Sequence, residues 1–256
     1  MKRQKSIINY LLPTGVFVFI LLIWQLICSL GIVPSLLLPS PLEVCSALIS
    51  DIDNLSRNAL YTLSETFVGM AITIVLSFML ACFMDKISLI KTALYPLLVV
   101  TQTIPSIAIA PLLVIWFGYD MLPKIILIVI VCFFPLAIGF LDGFASADED
   151  EIRLLRSMGA SDLQIFWHLK LPKAMPHFFS GLKISSSYCI VSAVISEWVG
   201  GSKGLGVYMM RVKNNYDYDK MFAVIFVISA LSILLMAFIS LLEKKIMPYK
   251  TKEENE

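Results

Sequence analysis

The sequence is poor in charge and in the residues that disulfide frameworks and metal sites require. Charged residues make up only 15% of the 256 positions, whereas hydrophobic residues make up 58%. The five cysteines form no Cys-x-x-Cys pair and only two histidines are present, so the sequence offers neither a cysteine framework nor a metal site. A chain this apolar is typical of a protein that crosses a membrane several times.

The motifs of enzymes are also missing. The sequence has no Walker A loop, Ser-His-Asp arrangement, His-Glu-x-x-His motif or pair of catalytic carboxylates. The glycine-rich segment 200–206, GGSKGLG, lacks the Walker A spacing, and we expect it to be a turn-rich loop outside the cell. We therefore predict no catalytic residue, no directly bound cofactor, no metal and no nucleic-acid partner.

Six apolar stretches are long enough to cross a bilayer, which predicts an all-α polytopic membrane protein with six transmembrane helices. The first stretch follows Lys2, Arg3 and Lys5; it is too long for a signal peptide and lacks a cleavage site of small residues. The six predicted spans cover residues 10–33, 60–83, 92–117, 122–140, 178–199 and 221–242.

The basic residues orient the chain in the membrane. With the N-terminus inside, thirteen of the twenty lysines and arginines fall in cytoplasmic segments, six fall outside and Lys183 lies near the inner boundary, in agreement with the positive-inside rule. We therefore predict a multi-pass membrane protein with both termini in the cytoplasm. The predicted segments are a cytoplasmic N-terminus (1–9), the first span (10–33), an external loop with an amphipathic helix (34–59), a transmembrane core (60–242) and a cytoplasmic tail (243–256).

A short helix is predicted within the external loop. Ser40 is a suitable N-cap, Pro41 is a suitable first helical residue, and Glu43 stands three residues after the cap. We expect this helix to lie along the outer membrane surface. Its apolar face would consist of Leu42, Cys45, Leu48 and Ile49.

The third apolar stretch contains three prolines. Pro96, Pro105 and Pro111 each remove a backbone donor, and Gln102 lies between the first two. Breaks at membrane depth are tolerated where protein or a water-filled path surrounds them, and transporters place such breaks beside substrate. The alternative is a kinked helix that only packs. Gln102 and Pro105 are our candidates for a translocation path.

Two further path candidates lie in other spans. Glu65 is an acid about two helical turns into the second span, which suggests function, although Glu65 can also anchor its helix at the lipid headgroups. Ser186 belongs to a serine run that suits either a polar pore lining or close helix packing. In the same span, Lys183 and Glu197 are expected to reach opposite membrane interfaces.

The longest polar interruption of the apolar sequence covers residues 146–176. Ser146 with Glu149, and Ser161 with Gln164, have the spacing of capping boxes, which predicts two short helices. Apolar residues at helical spacing follow each box: Ile152, Leu155 and Met158, then Leu163, Phe166 and Leu169.

Gly159 and Pro172 set the limits of these two helices. Gly159 suits the left-handed end of the first helix, and Pro172 is expected to stop the second. Three interpretations are open: a solvated loop that packs on its own protein, an interfacial helix on lipid, or a docking element for another protein.

Gly159, the nine residues after it and the segment LKLP at 169–172 resemble the EAA loop of the membrane subunits of bacterial ABC importers. The family pattern is Glu-Ala-Ala, three residues, Gly, nine residues, Ile, one residue and Leu-Pro. The glycine, the spacing and the Leu-Pro match, but residues 153–155 read RLL in place of Glu-Ala-Ala, and the nearest acid is Glu151. The similarity covers about residues 38–242.

The resemblance implies the ABC type I importer transmembrane fold and the role of a permease subunit in the bacterial cell membrane. In that family the loop is a coupling helix that sits in a cleft of a separate ATPase subunit, where ATP is used. The implied partners are a dimer of cytoplasmic ATPase subunits, an external substrate-binding protein and a second, identical permease copy in the lipid bilayer. The implied ATPase-coupling residues are Glu151, Arg153, Gly159, Ala160, Leu169 and Pro172.

Three segments indicate the cargo. Residues 101–124, CFFP at 132–135 and RLLRSMGAS at 153–161 are most similar to permeases for hydroxymethylpyrimidine, a thiamine precursor. Permeases for sulfonates, taurine, nitrate and riboflavin share much of the rest and remain alternatives. If the cargo is an aminopyrimidine, Glu65 and Gln102 are the first groups to test for hydrogen bonding. The remote alternative is a secondary transporter, which should show inverted halves or rows of intramembrane charge.

Overall fold

The computed structural model describes residues 2–34 and 37–247, with the backbone alone for residues 2–11 and 13. In these residues all regular secondary structure is helical and no β-strand forms, which confirms the predicted all-α class. One π-helical segment, Phe166–Lys170, separates α8 from α9. The helices are α1 (Lys2–Ser29), α2 (Pro41–Ser50), α3 (Ile52–Lys86), α4 (Ser88–Thr101), α5 (Ser106–Phe117), α6 (Met121–Ala145), α7 (Glu149–Ser157), α8 (Asp162–Ile165), α9 (Leu171–Gly200), α10 (Leu205–Asn214) and α11 (Tyr218–Ile246).

In the described part of the chain, four helices are long and apolar enough to cross a membrane: α3, α6, the continuous helix Asp162–Gly200 and α11. A fifth span is broken, because α4 and α5 meet at a bend of 100°. The bend falls just before Pro105, as the proline pattern predicts, whereas Pro96 and Pro111 lie inside the two helices. The first predicted span corresponds to α1, whose described apolar part, Thr14–Ser29, is shorter than a full span.

Residues up to 58 and residues 208–227 form one compact unit. Trp24 packs against Phe222 in this unit, with ring centroids 5.9 Å apart. The Tyr208 hydroxyl donates a hydrogen bond to the carboxylate of Asp51, between α2 and α3. Burial of Tyr208, together with this hydrogen bond, raises the pKa of its phenol.

Helix α2 begins with the predicted capping box. The N–H of Ser40 donates to the Glu43 carboxylate at 2.6 Å, and the Ser40 hydroxyl accepts the N–H of Glu43 at 3.3 Å. Val44 and Ala47 form its buried side. Leu42 and Ile49, members of the predicted apolar face, are exposed.

Residues 59–207 and 228–247 form the second compact unit, which is centred on the packing of α6 against α9. The two backbones approach closely: a Cβ on Gly181 would lie 2.6 Å from the carbonyl oxygen of Pro135, so only glycine fits there. The buried apolar side chains at this contact are Ile128, Cys132, Leu136, Cys189, Ile190 and Ala193.

A cluster of five phenylalanines joins the loop after α6 to the long helices. Phe140 of α6 packs on Phe178 of α9 at 4.7 Å between ring centroids, and on Phe78 of α3 at 5.3 Å. Phe166 of the π-helical segment lies 5.4 Å from Phe144 of α6. Offset and edge contacts of this kind add stability beyond simple burial. The cluster therefore fixes the base of the loop to three helices.

Candidate functional site

The first helix of the polar loop, α7, begins later than predicted. Asp148 is its N-cap: the carboxylate accepts the N–H of Asp150 at 3.0 Å, and Glu151 closes the capping box. The prediction of Ser146 as N-cap is wrong because α6 extends as far as this residue. The Ser146 hydroxyl instead donates to the carbonyl of Gly143 at 2.7 Å, at the end of α6.

Gly159 ends α7 in the left-handed conformation, with φ of +87°. Its N–H donates to the carbonyl of Arg156, and the N–H of Ala160 donates to the carbonyl of Leu155, both at 3.0 Å. This pair of bonds is the Schellman motif. No described atom lies within 4 Å of the position that a Cβ on Gly159 would take, so a side chain here is opposed by the backbone conformation alone.

The second helix starts as predicted but does not stop where expected. Ser161 and Gln164 form the capping box, with the N–H of Ser161 donating to Gln164 Oε1 at 2.8 Å. The expectation that Pro172 ends this helix is wrong because a π-helical turn precedes the proline. There the N–H of Leu171 reaches back to the carbonyl of Phe166. The wider turn accommodates the proline, so the loop continues into α9 as one helix.

Ion pairs tie this loop to α3 and α9 within the second unit. Lys173 of α9 pairs with Glu151 of α7, and Lys170 pairs with Asp85 at the end of α3 at 2.7 Å. Arg153, by contrast, is exposed and pairs within its own helix at 2.9 Å. Glu151 therefore fastens α7 to α9, whereas the Arg153 guanidinium lies at the surface.

Four large apolar side chains of the loop are exposed. Leu154 and Met158 lie one turn apart on α7, and Leu163 and Trp167 lie one turn apart on the second helix. Met158 is 74% exposed and Trp167 55%. We call these four residues the loop patch. Sequence periodicity indicated Met158 and Leu163 but not Leu154 and Trp167. Apolar side chains grouped on a solvated segment are typical of protein contact sites.

A groove of about 410 Å³ lies beside the break between α4 and α5 and is also lined by α6 and α9. We call it the α6–α9 groove. Gln102, a predicted path residue, is on its wall, and Pro105 immediately precedes α5 on the other side of the break. Asp142 and His177 also line the groove but were not predicted from sequence. Their position near the ends of the two spans that flank the loop could have indicated them. The polar lining consists of Gln102, Asp142, His177, Ser180 and Tyr188.

Glu65 lies inside the protein and does not anchor its helix at the headgroups. Its carboxylate is 2.6 Å from the ammonium of Lys124, and the two side chains are 7% and 6% exposed. Lys124 occupies the first turn of α6 and is buried against α3. A buried charge needs a partner of opposite sign, which each residue supplies to the other.

Glu197 is also buried, and the glycine-rich segment folds around it. Its carboxylate accepts hydrogen bonds from the Thr62 hydroxyl at 2.7 Å and from the N–H of Gly206 at 2.5 Å. The N–H of Leu205 donates to the Thr62 hydroxyl at 2.9 Å. A Cβ on Gly204 would overlap the Glu197 carboxylate. The expectation that Glu197 reaches an interface is wrong because these donors satisfy it inside the protein.

Ser186 is buried, and its hydroxyl donates to the carbonyl of Lys183 at 2.6 Å, which favours the packing interpretation. Lys183 pairs with Glu243 of α11. Among the described residues that line the α6–α9 groove, neither Glu65 nor Ser186 is found. Their assignment to the path stays a prediction.

Known proteins resemble this chain over most of its length. Residues 73–248 match the family described as the inner membrane component of binding-protein-dependent transport systems. The chain is 36% identical over 254 residues to a formylaminopyrimidine transport permease of Halalkalibacterium halodurans, covering 99% of this chain and 100% of that protein. It is 26% identical over 245 residues to the taurine transport system permease of Escherichia coli, covering 93% and 89%. The inward-facing structure of the MetNI methionine ABC transporter shares the fold, with a TM-score of 0.68 at 18% identity, covering 76% of this chain and 97% of that one.

Proposed function

Because the chain belongs to the family of binding-protein-dependent inner membrane components, the permease subunits of ABC importers, we propose that it carries an aminopyrimidine of the hydroxymethylpyrimidine type into the cell. Full-length similarity carries this proposal: identity is 36% to a formylaminopyrimidine permease and 26% to a taurine permease. Import of taurine or an aliphatic sulfonate is the second candidate, supported by the relatives that carry those names. Nitrate and riboflavin are weaker alternatives.

ATP is hydrolysed by a separate subunit in this family, so the permease must receive mechanical work through a contact. We assign this contact to the polar loop. The loop patch and the exposed Arg153 form the surface that enters a cleft of the ATPase. Ala160 contributes the N–H that closes the Schellman motif and so holds the two helices of the loop at a fixed angle.

The structure of the loop suits the transmission of force to the groove. The Schellman turn at Gly159 and the ion pair between Glu151 and Lys173 connect the first helix of the loop to the start of α9. The second helix passes through Leu169 and Pro172 into α9 without a break. Movement of the loop on closure of the ATPase dimer therefore moves α9, which lines the groove, and switches access to the path.

We assign different parts in the path to the four predicted residues. Gln102 contacts cargo from the groove wall, and Pro105 holds open the break beside it. Glu65 and Ser186 support the walls from behind, through their bonds to α6 and within α9.

We propose the following assembly, which the family and the charge distribution support. A dimer of ATPase subunits lies on the cytoplasmic side, an external binding protein delivers cargo, and a second copy of this chain completes the path. The predominance of basic residues in the segments on the loop side supports cytoplasmic termini.

Reconstitution tests the proposed function. The permease, its ATPase and its binding protein are placed in proteoliposomes, and uptake of labelled hydroxymethylpyrimidine and taurine is measured with and without ATP. We expect ATP-dependent accumulation of the pyrimidine. Uphill transport by the permease without its ATPase would overturn the importer assignment. Accumulation of taurine but not of the pyrimidine would overturn the cargo assignment.

A further inference from the structure

Four polar side chains in the α6–α9 groove have no protein partner within the described part of the chain. Gln102, Asp142, His177 and Tyr188 make no side-chain hydrogen bond or ion pair there. Polar groups buried between the same two helices are bonded, as the Ser185 hydroxyl is to the backbone of α6 at 3.3 Å. Unpartnered polar groups in membrane helices face water or a ligand, since lipid cannot satisfy them. The groove therefore presents polar groups that are available to a ligand.

The charge in the groove has one sign. Its described lining contains one carboxylate, Asp142, and no lysine or arginine. Lys173 and Lys183, on the same helix as part of the lining, are each paired with a glutamate. An anion in the groove would meet Asp142 without a fixed cation to offset the repulsion. An amino group would instead donate a charge-assisted hydrogen bond to this carboxylate.

The shape of the groove suits a flat ring. Tyr188 and Phe134 supply aromatic faces, on which planar ligands stack. Gly139 and Gly181 add no side chain to the floor, and a Cβ on Gly139 would lie 2.9 Å from the carbonyl oxygen of His177. The volume of about 410 Å³ is within the range of small-molecule sites, roughly 300–1,000 Å³.

We propose that the α6–α9 groove is a cargo-binding site that selects amino-substituted heteroaromatic compounds and rejects anions such as sulfonates and nitrate. The Asp142 carboxylate accepts a hydrogen bond from the exocyclic amino group of the ring. Gln102 and His177 bond the ring nitrogens, and Tyr188 stacks on the ring. This inference rests on the proposed importer function and adds to it a selectivity that belongs to the permease itself, independent of the external binding protein.

Direct binding tests the groove. Labelled 4-amino-5-hydroxymethyl-2-methylpyrimidine is titrated into the permease–ATPase complex in nanodiscs, without the external binding protein. We expect saturable binding that taurine does not displace. Asp142→Asn should weaken binding about tenfold or more, since hydrogen bonds to charged groups exceed the free energy of one decade in affinity. Tyr188→Phe should keep most of the affinity, and Tyr188→Ala should lose it.

The matched control is Asp120→Asn, which changes the same residue type just before the opposite end of α6 and should bind as the wild type does. Thermal unfolding of each complex checks that the variants fold, and Asp142→Glu, which keeps the charge, should retain more affinity than Asp142→Asn. Equal affinity of Asp142→Asn and wild type, or displacement of the ring by taurine, would overturn the groove assignment. ATP-dependent uptake by the wild-type complex reports separately on the importer function, so failure of the groove and failure of the proposed function give different results.

Discussion

The carboxylate of Glu65 lies 2.6 Å from the ammonium of Lys124, and this ion pair joins α3 to the first turn of α6. The bond from Thr62 to Glu197 joins α3 to the last turn of α9. Both connections lie at the helix ends remote from the polar loop, which joins the opposite ends of α6 and α9. The three helices are thus held together at one end and receive the loop at the other.

Removal of one partner of the Glu65–Lys124 pair should destabilise the protein by about 3–5 kcal/mol, because the remaining charge stays buried. Glu65→Leu and Lys124→Met test this separately. The double variant should recover most of the loss, since it leaves no charge. Thermal unfolding in detergent measures the three variants. As a control, Arg156→Met removes an exposed ion pair with Asp162 and should cost less than about 1 kcal/mol. Additive losses in the double variant would show that Glu65 and Lys124 do not stabilise each other.

Gly204→Ala should disrupt the pocket around Glu197. At Gly204 φ is +115°, and a Cβ there overlaps the Glu197 carboxylate, so the variant pays for backbone strain and for displaced hydrogen bonds. Gly118→Ala is the control, because φ there is +84° and the space around it is open. We expect Gly118→Ala to cost about 1–3 kcal/mol from backbone strain alone, and Gly204→Ala to cost clearly more in thermal unfolding. Equal costs would mean that the segment does not enclose Glu197.

Trp167→Ala should weaken binding of the ATPase subunit by about tenfold or more, because truncation of a central aromatic residue in an interface commonly costs about 2 kcal/mol. Affinity is measured between the nanodisc-embedded permease and the purified ATPase. Trp116→Ala removes a similarly exposed tryptophan of α5 and serves as control. If both variants bind the ATPase equally well, the loop patch is not the docking surface.

Tyr208→Phe should remove the part of the stability loss at alkaline pH that comes from titration of this phenol. The phenol pKa is raised in the folded protein, so the folded state holds its proton at pH values where the unfolded state has lost it. Its stabilising contribution is therefore complete below about pH 10 and declines as the pH rises above that value. The difference in unfolding temperature between wild type and Tyr208→Phe should shrink between pH 8 and pH 11. A difference that stays constant or grows would refute this assignment.

Local chemistry made much of the fold predictable. Gly159 and the Ser161–Gln164 box are fixed by backbone preferences within a few residues, and the structure contains both. The prediction of Ser146 as N-cap was wrong because the sequence contains two overlapping capping-box patterns. The length of α6 decides between them in favour of Asp148. The prediction that Pro172 ends the helix was wrong because the π-helical turn before it avoids the clash between a proline ring and the preceding helical turn.

The site was less predictable because its contacts join distant segments. Glu197 meets Thr62 across 135 residues of sequence, and no local pattern indicates that pairing. Asp142 and His177 come together only through the packing of α6 on α9. Gln102 was predicted from sequence because the neighbouring prolines mark the break between α4 and α5, and the structure places it on the groove wall.

Gly159 offers the most direct test of force transmission through the loop. Gly159→Val places a β-branched residue in the left-handed region, at a cost of about 1–3 kcal/mol, without a clash. Gly159→Asn is the matched control, since asparagine tolerates this conformation. The measurement is the number of ATP molecules hydrolysed per cargo molecule imported by the reconstituted complex. We expect Gly159→Val to stay in the membrane and to hydrolyse ATP with little uptake, while Gly159→Asn remains coupled. Unchanged coupling in Gly159→Val would contradict this expectation.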